Sequence, residues 1–151
     1  MNKLKLTAFV FFTAFILSSC AKDRDTTIQN NNVVMNSAQV VPPATSAGVG
    51  RTEMTYNYKT NILSYKITWN GLGSAVTAIH IHGIADIGQP APIIQNLTGF
   101  STATSGSISN TLLVDEVIVK QDVLLAGKYY VDVHTANNPQ GEIRGQLIWG
   151  N

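Results

Sequence analysis

The sequence predicts an all-β protein: a single-domain antiparallel β-sandwich or Greek-key barrel of about seven short strands, with at most one short helix. Three observations carry this reading. Segments rich in Thr, Tyr, Ile, Val and Trp alternate polar and apolar residues with period two. Turn-forming runs ("KTN", "NGLGS", "ANNPQ") separate them. Only one stretch carries helical spacing, and it is short.

The elements follow in chain order. "VGRTEMTYNY" (49–58) and "ILSYKITWN" (62–70) form a hairpin across "KTN". Trp69, like Trp149 near the end of the chain, is expected in the core or at a sheet edge. "VTAIHIH" (76–82) follows the break at "NGLGS", and "APIIQNL" (91–97) and "GSISNTLLV" (106–114) are two further strands. In "VDEVIVKQDVLLAG" (114–127), Val117, Leu124 and Leu125 can share a helical face, with Gly127 as a C-terminal stop. This predicts a turn or two of helix around 121–126. "KYYVDVHT" (128–135) and "GEIRGQLIW" (141–149) flank "ANNPQ" as a second hairpin. "QVVPP" (39–43) reads as chain leaving the sheet, because Pro42 and Pro43 cannot continue a central ladder.

Residues 1–19 read as a leader rather than as part of the fold. A basic start, "MNKLK", precedes the apolar run "LTAFVFFTAFIL" (6–17), which is shorter than the roughly 20 residues a spanning helix needs. "LSSC" (17–20) then resembles the lipobox of bacterial lipoproteins, which makes Cys20, the sole cysteine, the expected lipidation site. Two or three acyl chains at that residue would anchor the protein stably in a membrane. Residues 20–32, polar and aperiodic, read as a flexible tether, and 33–151 as the domain. With no other cysteine there is no disulfide, so packing must hold the fold. Of ten basic residues Lys3 and Lys5 fall in the leader, leaving eight against nine acidic ones and no basic patch, which argues against a nucleic-acid partner. No G-x-S-x-G, P-loop or G-x-G-x-x-G occurs, and Asp86, Asp115 and Glu116 read as loop and turn residues, so no enzymatic activity is expected.

The chemistry-bearing residues gather in three stretches: "AIHIHG" (78–83), "YYVDVHT" (129–135) and "GEIRGQ" (141–146). Ile79 and Ile81 face the core, which leaves His80 and His82 together on the other face. Tyr130, Asp132 and His134 alternate in the same way with Tyr129, Val131 and Val133. If the hairpin register sets His134 opposite Glu142, then Asp132 lies opposite Arg144 and all four share a face. Asp132–Arg144 would then be a cross-strand ion pair, and Glu142 an acceptor for an imidazole N–H. Two readings of the histidines stand side by side. In the first, they clasp loop carbonyls or carboxylates, notably across the Gly/Pro-rich "IADIGQPAP" (84–92). In the second, His80, His82 and His134 bind Cu²⁺ or Zn²⁺, with Asp132, Glu142 or Tyr130 as fourth ligand or orienting group.

"NSAQVVPPATSAGVGR", "LSYKITWNGL", "VTAIHIHG" and "LLAGKYYVDVHTANNPQGEIRGQL", in this order and spacing, resemble the CHRD domain family over about 33–149. The resemblance implies a small β-sandwich-like domain without established enzymatic activity. The chain departs from the family pattern at Val40, where a Glu is usual, and at Ile84, where Pro is common; any contribution of that Glu to a site is missing here. The expectation is an exported protein, lipid-anchored to the cell envelope, on the outer membrane of a Gram-negative bacterium. Its role is expected to be non-enzymatic, binding or structural, through an envelope or extracellular ligand that the residues do not name. Metal binding through the three histidines is the alternative, and the oligomeric state is left open.

Overall fold

The computed structural model describes residues 26–150; the leader and Cys20 lie outside the described residues. Eight strands follow one another: β1 (Thr27–Asn36), β2 (Val49–Asn57), β3 (Ile62–Asn70), β4 (Val76–Gly83), β5 (Ile93–Asn96), β6 (Gly106–Leu113), β7 (Tyr129–Thr135) and β8 (Ile143–Gln146). The helix α1 spans Gln121–Leu125, and a short 3-10 turn covers Ser37–Gln39. All strands pair antiparallel in one curled sheet, in the order β5-β4-β7-β8-β1-β2-β3-β6.

Seven of the eight strands lie where alternation and turn residues place them; β1 is the addition. The expected tether, 20–32, runs into it: Thr27–Asn30 pair with Met54–Asn57, so the boundary at 32 falls inside a strand. The reason is physical. "TIQNNN" has almost nothing apolar to bury, and its place in the sheet comes from main-chain hydrogen bonds to β2, which any residue other than Pro can make. A register shift between Asn30 and Val33 then brings Val33 and Met35 into the core.

The curl closes the core. Inward-facing Met54 and Tyr56 of β2, Leu63, Ile67 and Trp69 of β3, Ile79 and Ile81 of β4, and Val131 and Val133 of β7 are all buried in one cluster. Each fully buried side chain of this size is worth about 1.5–3 kcal/mol. The two sheet edges meet through side chains: Gln95 of β5 donates to the Thr111 carbonyl of β6 at 3.3 Å and accepts from Tyr65 Oη at 2.7 Å. Trp69 donates its indole N–H to Ala103 O at 2.9 Å, fixing the 102–104 segment across the same opening. Helix α1 caps one end with Leu124 buried and Gly127 at φ +68° just beyond it, as the sequence indicates. Val117, expected on that apolar face, is instead 78% exposed, because Asp115 accepts from the N–H groups of Val117, Ile118 and Val119 and turns the chain before the helix starts.

Strand β8 packs closely against β1. A Cβ at Gly145 would stand 2.6 Å from Met35 Cγ and 2.9 Å from the Val34 carbonyl, and the second of these is backbone. Gly145→Ala is therefore expected to destabilise the fold by about 2 kcal/mol or more, in the range of forced overpacking. Equilibrium urea denaturation checks this; an unchanged midpoint would contradict the close approach.

Candidate metal site

In the β4–β7 ladder His80 lies directly opposite Asp132, His82 opposite Tyr130, and His134 opposite Ala78. With Ile79, Ile81, Val131 and Val133 sent into the core, the three histidines and Asp132 share the other face. That face is not open to solvent. The loop 84–92 folds back over it, held by Ala85 N–H on Lys128 O, Ala91 N–H on Tyr130 Oη, Arg144 on Gln89 O and Gln146 on Ala85 O. Beneath it His82, Asp132, Arg144 and Gln146 are buried, and His80 and His134 are half-buried.

The hydrogens on two of the rings can be placed from their partners. Carbonyls only accept, so His82 Nδ1 donates to Ala91 O at 2.8 Å and His134 Nδ1 donates to Pro139 O at 3.0 Å. A neutral imidazole carries one hydrogen, which leaves a bare lone pair on each Nε2. Both lone pairs point at one atom: Asp132 Oδ1 lies 3.2 Å from His82 Nε2 and 3.0 Å from His134 Nε2. His80 Nδ1 completes the group, 3.0 Å from His134 Nε2 and 3.8 Å from Asp132 Oδ1. One ligand atom from each of the four residues lies within 4.8 Å of all the others.

Acceptors facing acceptors at these distances repel unless something positive stands between them. A proton on each ring does this; so does a metal ion. Bonds of about 2.0–2.1 Å at tetrahedral angles set ligand atoms about 3.3 Å apart. Four of the six separations, 3.0, 3.0, 3.2 and 3.8 Å, bracket that value, and the other two lie within 4.8 Å. The outer N–H groups of His82 and His134 on backbone carbonyls are the orienting contacts that metal-bound histidines typically make.

The titration of the group follows its geometry. Burial pushes the Asp132 carboxyl up, but hydrogen bonds from His134 and His82 outweigh it and pull it down to about 2. Burial disfavours charge on His134 too, yet its bond to Asp132 raises it above the ordinary value. His80 is lowered, by burial first and then by the charge of His134.

The other expected members take different places. Asp132 does pair with Arg144 in register, but no ion pair forms between them. The carboxylate turns to the imidazoles, while Arg144 lies over the Tyr130 ring, 3.5 Å from its centroid, and donates through Nη2 to Gln89 O and Gln146 Oε1. Tyr130 itself stacks on His82, with centroids 4.7 Å apart, rather than offering its oxygen to the cluster. Glu142 meets no imidazole. It accepts from Ser46 Oγ at 2.5 Å, Gly73 N–H at 2.6 Å and Thr135 Oγ1 at 2.6 Å, at the end of the sheet beyond the hairpin. Burial raises its carboxyl, but these donors together hold it below its ordinary range. The sequence assigns no role to Gln146, inside the stretch "GEIRGQ"; its amide ties the loop at Ala85 O and Gly127 O. Pattern alone places it only on the polar face of β8.

Asp132→Asn removes the group that raises His134, so the His134 pKa should fall, as read by NMR titration of the imidazole C–H signals in metal-free protein. The Asp132 carboxyl is depressed in the fold, so its contribution is complete above the unfolded carboxyl value and is lost as pH falls toward 2. The stability gap between wild type and Asp132→Asn should therefore close as pH drops from about 5 to about 2. A gap independent of pH would contradict this assignment.

Comparison with known proteins places the chain. The family model for the CHRD domain matches residues 32–147. Chordin of Danio rerio is 31% identical over 111 residues, and chordin of Xenopus laevis 29% over the same length. Each match covers 72% of this chain but only 12% of the relative. No solved structure matches. Among the described residues no helix is long and apolar enough to cross a membrane. The matched span runs from within β1 to the end of β8 and takes in every residue of the buried histidine–aspartate cluster: the chain belongs to the CHRD domain family.

Proposed function

We propose that this protein is an exported, lipid-anchored CHRD domain whose His80, His82, Asp132 and His134 hold one Zn²⁺ or Cu²⁺ ion in a non-enzymatic binding or structural role. A single observation carries the metal reading: two imidazole Nε2 atoms, with their hydrogens held at Nδ1 by carbonyls, both face one oxygen of a buried carboxylate. The donor set suits these ions, with imidazole the preferred ligand of both and Cu²⁺ the tighter binder of the two in the general affinity series. Such an ion would tie β4, β7 and, through Ala91 and Pro139, two loops into one unit. The anchor rests on the lipobox-like "LSSC" with Cys20.

The second reading is the proton-filled clasp, with His82 and His134 as imidazolium ions on Asp132. It is favoured by the same carbonyl contacts, since a doubly protonated ring also donates from both nitrogens.

The full chain, purified in detergent, should take up one equivalent of Zn²⁺ or Cu²⁺ by elemental analysis and gain thermal stability with it. The His80→Ala/His134→Ala double variant should lose both effects. Uptake should weaken as pH falls below about 6.5, where imidazoles protonate and compete with the ion. No uptake by wild type, or equal uptake by the double variant, sinks the metal reading and leaves the clasp. Independently, Cys20→Ser should move the protein from the membrane fraction to the soluble one; retention in the membrane would refute the anchor.

A further inference from the structure

A cavity lies beside the histidine cluster, between residues 38–43 and the loop 84–92, with a volume of about 280 Å³. This is just below the roughly 300–1,000 Å³ typical of pockets for drug-sized ligands, so it suits a small one. Val40, Val41, Pro43 and Ile87 make its walls apolar, and Arg144 is the one charged residue lining it. Arg144 stands between this cavity and a smaller one, of about 170 Å³, that opens on His82, Asp132 and His134.

Arg144 is 3% exposed, and among the described residues no carboxylate lies within 4.0 Å of it. A buried cation without a counter-ion is costly unless its donors are met. Nη2 is met, by Gln89 O and Gln146 Oε1, but no acceptor among the described residues faces Nε or Nη1. Among the described residues no fully buried side-chain nitrogen or oxygen lacks a partner, so Nε and Nη1 are not fully buried, and Arg144 lines the cavity. Gln146 cannot meet a ligand as Arg144 can, because its amide N–H groups are taken by Ala85 O and Gly127 O. The neighbouring carboxylate, Asp132, whose charge acts on Arg144 from beyond ion-pair distance, meets the histidines through Oδ1.

We infer that this cavity binds a small organic carboxylate, its anionic end on the Arg144 guanidinium and its apolar substituent against Val40, Val41, Pro43 and Ile87. Charge complementarity selects the anion, and a charge-assisted hydrogen bond is stronger than a neutral one. The apolar walls select against a fully hydrated inorganic anion, which would have to shed its water without gaining contacts. The site does not require the metal, since the cavity and the cluster are lined largely by different residues.

The test is a titration of the ¹⁵N-labelled full chain in detergent with a chelator present, following the Arg144 Nε–H signal and the amides of Val41 and Gly88. Isovalerate should shift all three saturably. Isovaleramide, of the same shape without charge, should bind at least about tenfold more weakly, as should inorganic phosphate and acetate. Val41→Asp, at a rim position 36% exposed, supplies a resident carboxylate and should lower isovalerate affinity by a similar factor while leaving the thermal midpoint near wild type. The His80→Ala/His134→Ala double variant should keep isovalerate binding, so that this site and the metal site succeed or fail separately. No saturable shift with isovalerate, equal binding of isovaleramide or phosphate, or unchanged affinity in Val41→Asp would overturn the proposal.

Discussion

The buried carboxylate of Asp132 sets the terms for the polar half of the molecule. An ionised group under a folded loop has to be met by positive charge or by hydrogen-bond donors. Its neighbours are imidazoles, which can act as donors, acceptors or ligands according to what occupies their second nitrogen. Because Ala91 O and Pro139 O claim the outer nitrogens of His82 and His134, the inner ones become donors only on protonation and ligands only with a metal. The same contacts also position the loop around Ala91 and the hairpin around Pro139, so cluster and cover are one arrangement.

Glu142 shows the contrast. It too is a buried carboxylate, fully inaccessible, and it lies only one sheet-end away. Its partners are two hydroxyls and a backbone N–H, groups that can donate at any ordinary pH and need no cation among them. One carboxylate is thus finished by the protein itself, tying Ser46, Gly73 and Thr135 together as a structural brace. The other is left with partners whose protonation depends on conditions. That difference in donor chemistry, more than burial, separates the brace from the candidate site.

Both faces of β7 and β8 are buried, which is unusual for an antiparallel sheet of this size. One face joins the apolar core; the other carries the stacked His82, Tyr130 and Arg144 beneath the loop 84–92. The loop is held by backbone bonds at Ala85 and Pro92 and by the side chains of Arg144 and Gln146, and its Ile84 and Ile87 are exposed. Position 40 belongs to the same region. Val40 is buried and lines the same cavity as Arg144.

The alternation of "AIHIHG" and "YYVDVHT" by itself determined which residues share a face, because a side-chain period of two leaves no choice once Ile79, Ile81, Val131 and Val133 must be buried. It determined seven strands, the short helix and the all-β class for the same reason. It could not show β1, whose polar residues enter the sheet through backbone hydrogen bonds that carry no side-chain signal. Nor could it choose among Asp132, Glu142 and Tyr130 as the companion of the histidines. That choice lay with tertiary structure: the diagonal from His82 of β4 to β7, and the loop contacts that orient His82 and His134, bring Asp132 to both Nε2 atoms, while Glu142 goes to Ser46 and Thr135. Faces are fixed by local periodicity, whereas partners across strands and loops are fixed by distances in space that no spacing along the chain encodes.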